Sequence, residues 1–373
     1  MVYNVGHKLR IIPVYVIDPQ SDTEKELHIA EELESLIGTF GGRIVDRVLQ
    51  RLDKPNLSTY IGRGKVQELS ERVYKAHCDV VILNAMAKPG QIHGLKIELQ
   101  KKNPNIEVWD RVDLILQIFD KHAHTTEAKL QIELARMRYM GPRIYGMGHV
   151  LSRQGGGIGT LGVGETNTEL MKRHWRHEIK KVESQIEKLS KNRENQLERR
   201  KRVGFKTVSI VGYTNAGKSS LFNLLSGKHV RSEDALFATL DASVGTIYFE
   251  GIGQVLLTDT IGFIRNLPPR LIRAFTSTLL ESVHADILLH VIDVSDPQMD
   301  EKIRVVEEIV KELNLDSNNT IFVFNKTDAL AHRDTANVLN TYTTYPGVCI
   351  SVKNNEGIGD LLMMIQKHLN AFS

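Results

Sequence analysis

Apolar and polar positions follow two periods along the first third of the chain. The runs IIPVYVI, RIVDRVL, DVVILN and EVW are short and apolar, as buried strands require. Amphipathic stretches separate them: a helical pattern from Glu24 to Ile37, a second from Val66 to Ala76, another after DVVILN, and DLILQIF after EVW. Strand and helix in alternation predict a parallel α/β domain over residues 1–125. From Thr126 to Met140 apolar residues recur at helical spacing, and a helix beginning near Asn167 carries Ile179, Val182, Ile186 and Leu189 in heptad register. That pair predicts an antiparallel helical hairpin, a coiled-coil linker over 126–202. Strand-like FKTVSIV, QVLLTD, TIFVFN and GVCI then alternate with helical segments as far as GIGDLLMMIQKHL, which gives a second α/β domain over 203–373.

Between the hairpin helices lies RQGGGIGTLGVGE, whose six glycines are Gly155, Gly156, Gly157, Gly159, Gly162 and Gly164. The segment is too flexible for a regular element and too long for a tight turn. It reads either as a disordered linker or, by preference, as a functional loop carried at the tip of a rigid hairpin. IGRGK, from Ile61 to Lys65, has two glycines before a helix. A plain strand-to-helix turn is preferred there over an anion cradle, because phosphate-loop spacing is missing.

At 373 residues the chain exceeds one ordinary hydrophobic core, in keeping with several domains. No run approaches the ~20 apolar residues of a membrane span, and the N-terminus lacks a cleavable signal, so the protein reads as soluble and cytoplasmic. Cys78 and Cys349 stand far apart in apolar surroundings, which supports neither a disulfide framework nor a thiolate metal site and makes both reduced core residues. The net charge of +3 is too small to announce a nucleic-acid partner. Its distribution is uneven. Between Lys172 and Lys206 there are 13 Lys or Arg against 5 Glu, including the run Arg199, Arg200, Lys201 and Arg202. Taken alone, that run reads first as a solvated helix face and second as an RNA contact.

The most specific chemistry is Gly212, Tyr213, Thr214, Asn215, Ala216, Gly217, Lys218, Ser219, which fits G-x-x-x-x-G-K-S/T between a strand and the helix SSLFNLLS that opens with Ser219 and Ser220. Backbone N–H groups of such a loop wrap phosphates, Lys218 supplies a point charge, and the Ser219 hydroxyl is a hard oxygen suited to Mg²⁺. Asn325, Lys326, Thr327 and Asp328 select the base. The Asp328 carboxylate only accepts hydrogen bonds, guanine offers two adjacent N–H donors, and adenine would put a lone pair against it. Asp259, Thr260, Ile261 and Gly262 match D-x-x-G, with Asp259 holding Mg²⁺ through water and the Gly262 N–H sensing the γ-phosphate. In LFATLD, Phe237 and Thr239 lie on the intervening loop, and Thr239 is the expected second hydroxyl on Mg²⁺, with Ser243 as a substitute. Ser351 and Val352 sit where backbone amides contact the guanine carbonyl. The assigned reaction is GTP hydrolysis with Lys218, Thr239 and Gly262 as its catalytic residues. Phe263 stands where many GTPases have a water-orienting glutamine, and no arginine finger is evident in cis, so the intrinsic rate should be low.

These segments together resemble the HflX GTPases, a translation-factor-like, ribosome-associated family. The resemblance rests on YIGRGK, DRVDLILQIF through KLQIELARMRY, GGGIGTLGVGET, GYTNAGKSSLFN, LFATLD and DTIGFIRNLP followed by LIRAFTSTL. It implies an N-terminal α/β domain joined through a helical hairpin to a Ras-like G domain. It further implies binding to the large ribosomal subunit, with the glycine-rich loop at ribosomal RNA near the peptidyl transferase centre, and splitting or rescue of stalled ribosomes by a monomer stimulated by the ribosome. The family reads GPGETQLE where this chain has GVGETNTE, and the helix ending the chain closes the G domain, so the extra C-terminal domain of some members is not expected. Two other classes stay open: an RNA-remodelling NTPase with a second purine site at Arg63, Gly64 and Lys65, and a GTP-regulated scaffold for a protein partner.

Overall fold

The computed structural model describes residues 8–154, 163–228, 236–237, 243–265, 285–313, 319–330 and 335–371. They form two compact units, one of 1–121 with 132–183 and the other of 122–131 with 184–373. Each unit has its own sheet, the first wholly parallel.

The first unit runs β1 (Arg10–Ile17), α1 (Thr23–Phe40), β2 (Arg43–Ile44), β3 (Val48–Arg51), α2 (Arg63–Lys75), β4 (Val80–Leu83), α3 (Pro89–Gln100), β5 (Glu107–Asp110) and α4 (Arg111–His122). Asp22 caps α1 by accepting from the Glu24 N–H, acidic Glu24 and Glu26 face the positive end of the helix dipole, and Gly41 ends it at a left-handed φ of 88°. β1 is central. It pairs in parallel with β4, and β4 with β5, while β2 and β3 follow one another along its other edge. RIVDRVL therefore forms an edge strand broken at 45–47 instead of one continuous strand. At the break Asp46 pairs with Arg72 at 3.1 Å, and Arg47 forks onto Glu34 at 2.5 and 2.7 Å. One face of the sheet buries Ile12, Val14, Val81 and Leu83 against Val66, Leu69 and Val73 of α2 and Leu95 and Leu99 of α3.

The hairpin helices are α5 (Thr126–Gln154) and α6 (Val163–Arg202). In the first unit Trp175 donates to the Met137 carbonyl at 3.0 Å, and Arg138 pairs with Glu183 at 2.7 Å, which joins the two helices side by side. Both run longer than the sequence pattern indicates. α5 continues past Gly141 and Pro142, forgoing the one bond that a proline cannot donate. α6 starts at Val163, so Gly164 lies in its first turn and not in the loop.

The second unit runs β6 (Lys206–Gly212), α7 (Lys218–Ser226), β7 (Ser243–Phe249), β8 (Gly253–Asp259), β9 (Ile287–Asp293), α8 (Met299–Glu312), β10 (Thr320–Asn325), a 3₁₀ turn at Thr327–Ala329, α9 (Thr335–Thr341), β11 (Gly347–Cys349) and α10 (Ile358–Ala371). The strand order is β11-β10-β9-β6-β8-β7, parallel except for β7. Alternate residues of β10 serve opposite faces, as a pleated strand requires. Ile321 and Val323 join Leu221, Phe222, Leu361 and Ile365. Phe322 and Phe324 join Met299, Ile303 and Val338. Both cysteines are free; Cys78 is buried, but Cys349 is only partly so, because edge strand β11 pairs on one side alone.

Phe322 is 1% exposed and meets His290, Phe324 and Tyr345 edge to face. Phe322→Ala should destabilise the second unit by about 3–5 kcal/mol in chemical denaturation. Tyr248→Ser, at a side chain 76% exposed, should shift stability by no more than about 0.5 kcal/mol.

Candidate functional site

The chemistry gathers where ligands bind in open parallel sheets, at the carboxyl ends of the strands. β6 ends at Gly212, β8 at Asp259 and β10 at Asn325, and each runs directly into one of the sequence motifs. The loop after Gly212 holds Asn215 at a φ of 64° and Gly217 at 96° before entering α7. A Cβ on Gly217 would lie 2.2 Å from the Asn325 amide nitrogen, so the phosphate loop closes against the base loop only with glycine there.

Lys218 is buried, and its ammonium donates to the Tyr213 carbonyl at 2.6 Å. Burial pushes its pKa down to about 8, against the opposing pull of Asp259. The Ser219 hydroxyl donates to Asp259 Oδ2 at 2.7 Å. Ser220 follows on the first turn of α7, half-buried, and Thr260 is fixed by donating to the Ile210 carbonyl at 2.7 Å. Ile261 is buried. Gly262 adjoins the lysine, since a Cβ there would meet Lys218 Nζ at 2.8 Å. The next residues are tied back to the phosphate loop: the Thr214 N–H donates to Phe263 O at 2.8 Å, Phe263 N–H to Gly212 O at 3.1 Å, and the Arg265 N–H to the Tyr213 hydroxyl at 2.8 Å.

On the base side Asn325 donates to the Ala216 carbonyl at 2.9 Å and accepts from the Val352 N–H at 3.2 Å. The Ser351 hydroxyl donates to Asp328 at 2.6 Å, and it is chiefly this bond that holds the Asp328 carboxyl below its ordinary range. Lys326, at a left-handed φ of 68°, pairs with Asp293 at 2.6 Å. The arrangement therefore gathers a buried cation, the left-handed glycine turn before α7, the Asn325 amide and the Asp328 carboxylate at the carboxyl end of one sheet. Ser219 and Asp259 fit Mg²⁺, for a hydroxyl and a carboxylate are hard oxygens, and Mg²⁺ completes its shell with waters and phosphate oxygens.

Phe237 is buried at a φ of 61°. Thr239 lies outside the described residues, as do Gly155, Gly156, Gly157, Gly159 and Gly162. Arg199, Arg200, Lys201 and Arg202 occupy the last turn of α6, where positive charge complements the helix dipole, and Arg202 pairs with Glu198 at 3.1 Å. Sequence reasoning missed two groups near the site. Arg265, 6% exposed, has its guanidinium on Gln298 and, at 3.3 Å, on Glu301. His290 is an imidazole inside the apolar strand ILLHVID, its pKa pushed down to about 3 by burial and then by Lys218. A polar residue at a buried strand position was the available signal for His290. Arg265 gave none, because a single arginine after an apolar pair is commonplace.

Fold and site define a P-loop GTPase, an enzyme that hydrolyses GTP. Three family models match in succession: GTP-binding GTPase N-terminal over residues 28–120, GTP-binding GTPase Middle Region over 122–200, and 50S ribosome-binding GTPase over 207–326. The chain is 43% identical over 362 residues to GTPase HflX of Caldanaerobacter subterraneus subsp. tengcongensis, spanning 97% of this chain and 81% of that one. It belongs to the HflX GTPase family. GTPase HflX of Escherichia coli (strain K12) is 34% identical over 374 residues, 99% of this chain and 84% of that one. Among solved structures, the SsGBP complex with GDP superposes with a TM-score of 0.55 at 25% identity, covering 98% of each chain. A GTP-binding protein of Sulfolobus solfataricus with GDP shares the fold at a TM-score of 0.51 and 24% identity, over 98% of this chain and 100% of that one. Among the described residues no helix is long and apolar enough to cross a membrane.

The depressed pKa of Lys218 has a definite sign. Phosphate restores the charged ammonium, so above pH 8 binding must draw a proton from solution, and affinity must fall as pH rises through that value. GTP affinity should drop about tenfold between pH 7 and pH 9. Calorimetry in two buffers of different ionisation heat should show proton uptake approaching one at pH 9; no uptake would mean that Lys218 is already charged in the free protein.

Proposed function

We propose that this GTPase associates with the large ribosomal subunit and splits or rescues stalled ribosomes, with GTP favouring the bound conformation and hydrolysis permitting release. The observation that carries the reading is the match of residues 207–326 to the 50S ribosome-binding GTPase model, joined in one chain to a basic hairpin. In this reading residues 1–125 are an N-terminal α/β domain, 126–202 the ribosome-reaching hairpin and 203–373 the G domain, in a cytoplasmic monomer.

GTP would lie with its phosphates in the loop from Gly212 to Ser219 and against Ser220 and Phe237, and its guanine at Asn325, Lys326, Asp328, Ser351 and Val352. Lys218 would balance charge developing on the γ-phosphate as water attacks, and the Gly262 N–H would hold a γ-oxygen. Thr260 and Ile261 carry the backbone between Asp259 and that glycine. Ser219 and Thr239 would hold Mg²⁺, with Asp259 acting through water; the ion supplies charge neutralisation on the phosphates. Phe263 cannot orient the water by hydrogen bonding, so intrinsic turnover is slow and a ribosomal group completes the site. Gly155, Gly156, Gly157, Gly159 and Gly162 let backbone approach ribosomal RNA closely, and the Arg199 to Arg202 run meets phosphates.

Base choice follows from Asp328. Asp328→Asn presents a donor to guanine's donors but accepts from the N–H of xanthine, so preference should move from GTP to xanthosine triphosphate; unchanged GTP affinity would remove Asp328 from the base site. Deletion of 155–164 tests the ribosomal reading. It should leave GTP binding intact and abolish large-subunit binding and ribosome-stimulated hydrolysis. Undiminished values for both would refute the loop assignment.

A further inference from the structure

Asp293 lies outside every nucleotide motif of this chain, yet it is the partner of one. It is the last residue of β9 and stands in parallel register with Asn325, the last residue of β10. The chain after β10 turns through the left-handed conformation at Lys326, and the lysine ammonium reaches Asp293 Oδ2 at 2.6 Å. The carboxylate is itself fixed, because Oδ1 accepts from both the Ser295 N–H at 3.0 Å and the Ser295 hydroxyl at 2.6 Å. The Val294 N–H donates to the Asn325 carbonyl at 3.0 Å, which locks the two strand ends together.

The neighbours of Lys326 in its motif have anchors too. Asn325 is held by Ala216 and Val352, the Thr327 N–H by the Ile350 carbonyl at 3.2 Å, and Asp328 by Ser351. Lys326 alone is anchored through a flexible side chain to a residue on a different strand. An ammonium docked at its far end leaves the four-carbon stem as an apolar strip next to Asp328, and an apolar strip suits the face of a planar base.

We propose that Asp293, oriented by Ser295, is a positioning residue for the guanine nucleotide. It holds the Lys326 ammonium so that the lysine stem is a preformed wall of the base site. The inference rests on the reading that Lys326 and Asp328 frame guanine. Without the carboxylate, the stem must be ordered by the nucleotide at each binding event, and that cost appears in release.

The test is a cycle of full-length variants, read by release of fluorescent GDP and of a fluorescent non-hydrolysable GTP analogue. Asp293→Asn should speed release of both about tenfold and equally, since the base is common to them, with kcat for hydrolysis within about twofold of the parent. Asp293→Glu should recover part of the loss. Lys326→Met should speed release similarly, and adding Asp293→Asn to it should change little further. A merely structural Asp293 would instead act additively in the Lys326→Met background, lower thermal stability with and without nucleotide alike, and overturn the proposal. Unchanged release in Asp293→Asn would overturn it too. Should Lys326→Met and Asp328→Asn both leave release unaltered, the guanine-site reading itself fails; a normal Asp328→Asn effect beside additive Asp293 and Lys326 effects rejects the positioning role alone.

Discussion

The hydrogen bond from the Asn325 amide to the Ala216 carbonyl joins the loop that would take phosphate to the loop that would take the base. Two segments more than a hundred residues apart in sequence meet there, and glycine at 217 is what lets them meet: any Cβ would occupy the place of the amide. The same side chain also accepts from the Val352 N–H, so three loops share one residue as their junction. Both atoms of the amide are used, and neither a carboxylate nor an amine could replace it, since each would supply only one of the two polarities.

The cation of the site sits under tension of another kind. Lys218 is enclosed by protein, with the Tyr213 carbonyl as its hydrogen-bond acceptor and Asp259 as a nearby opposing charge. Its solvation has thus been replaced by two fixed groups, and a phosphate arriving at the loop meets a cation with little water to shed. His290 stays uncharged close by, which avoids a second cation that would compete for the same anion.

Much of the architecture was legible because the two periods, strand and helix, are separated cleanly along the chain, and because each motif stands at the end of an apolar run. RIVDRVL shows what the pattern hides. Its apolar positions suit one strand, but Asp46 and Arg47 find partners on α2 and α1 that no local window contains. The helix ends behaved likewise: Gly141, Pro142 and Gly164 carry stop signals by type, and the backbone runs through them. In the site, the identities of Lys218, Asp259 and Asn325 were readable from spacing. What Asp293, Arg265 and Tyr213 touch was not, because such contacts arise from strand register and from helix packing, and a linear sequence states neither.

The backbone bridge between Tyr213 and Phe263 has a mechanical consequence. Two main-chain bonds and the Tyr213 hydroxyl fasten residues 263 and 265 to the phosphate loop. A displacement beginning at Gly262 would have to break all three, at roughly 1 kcal/mol net apiece. Gly262 is thereby stiffened from its C-terminal side, by bonds that belong to the residues following it and not to the D-x-x-G motif itself.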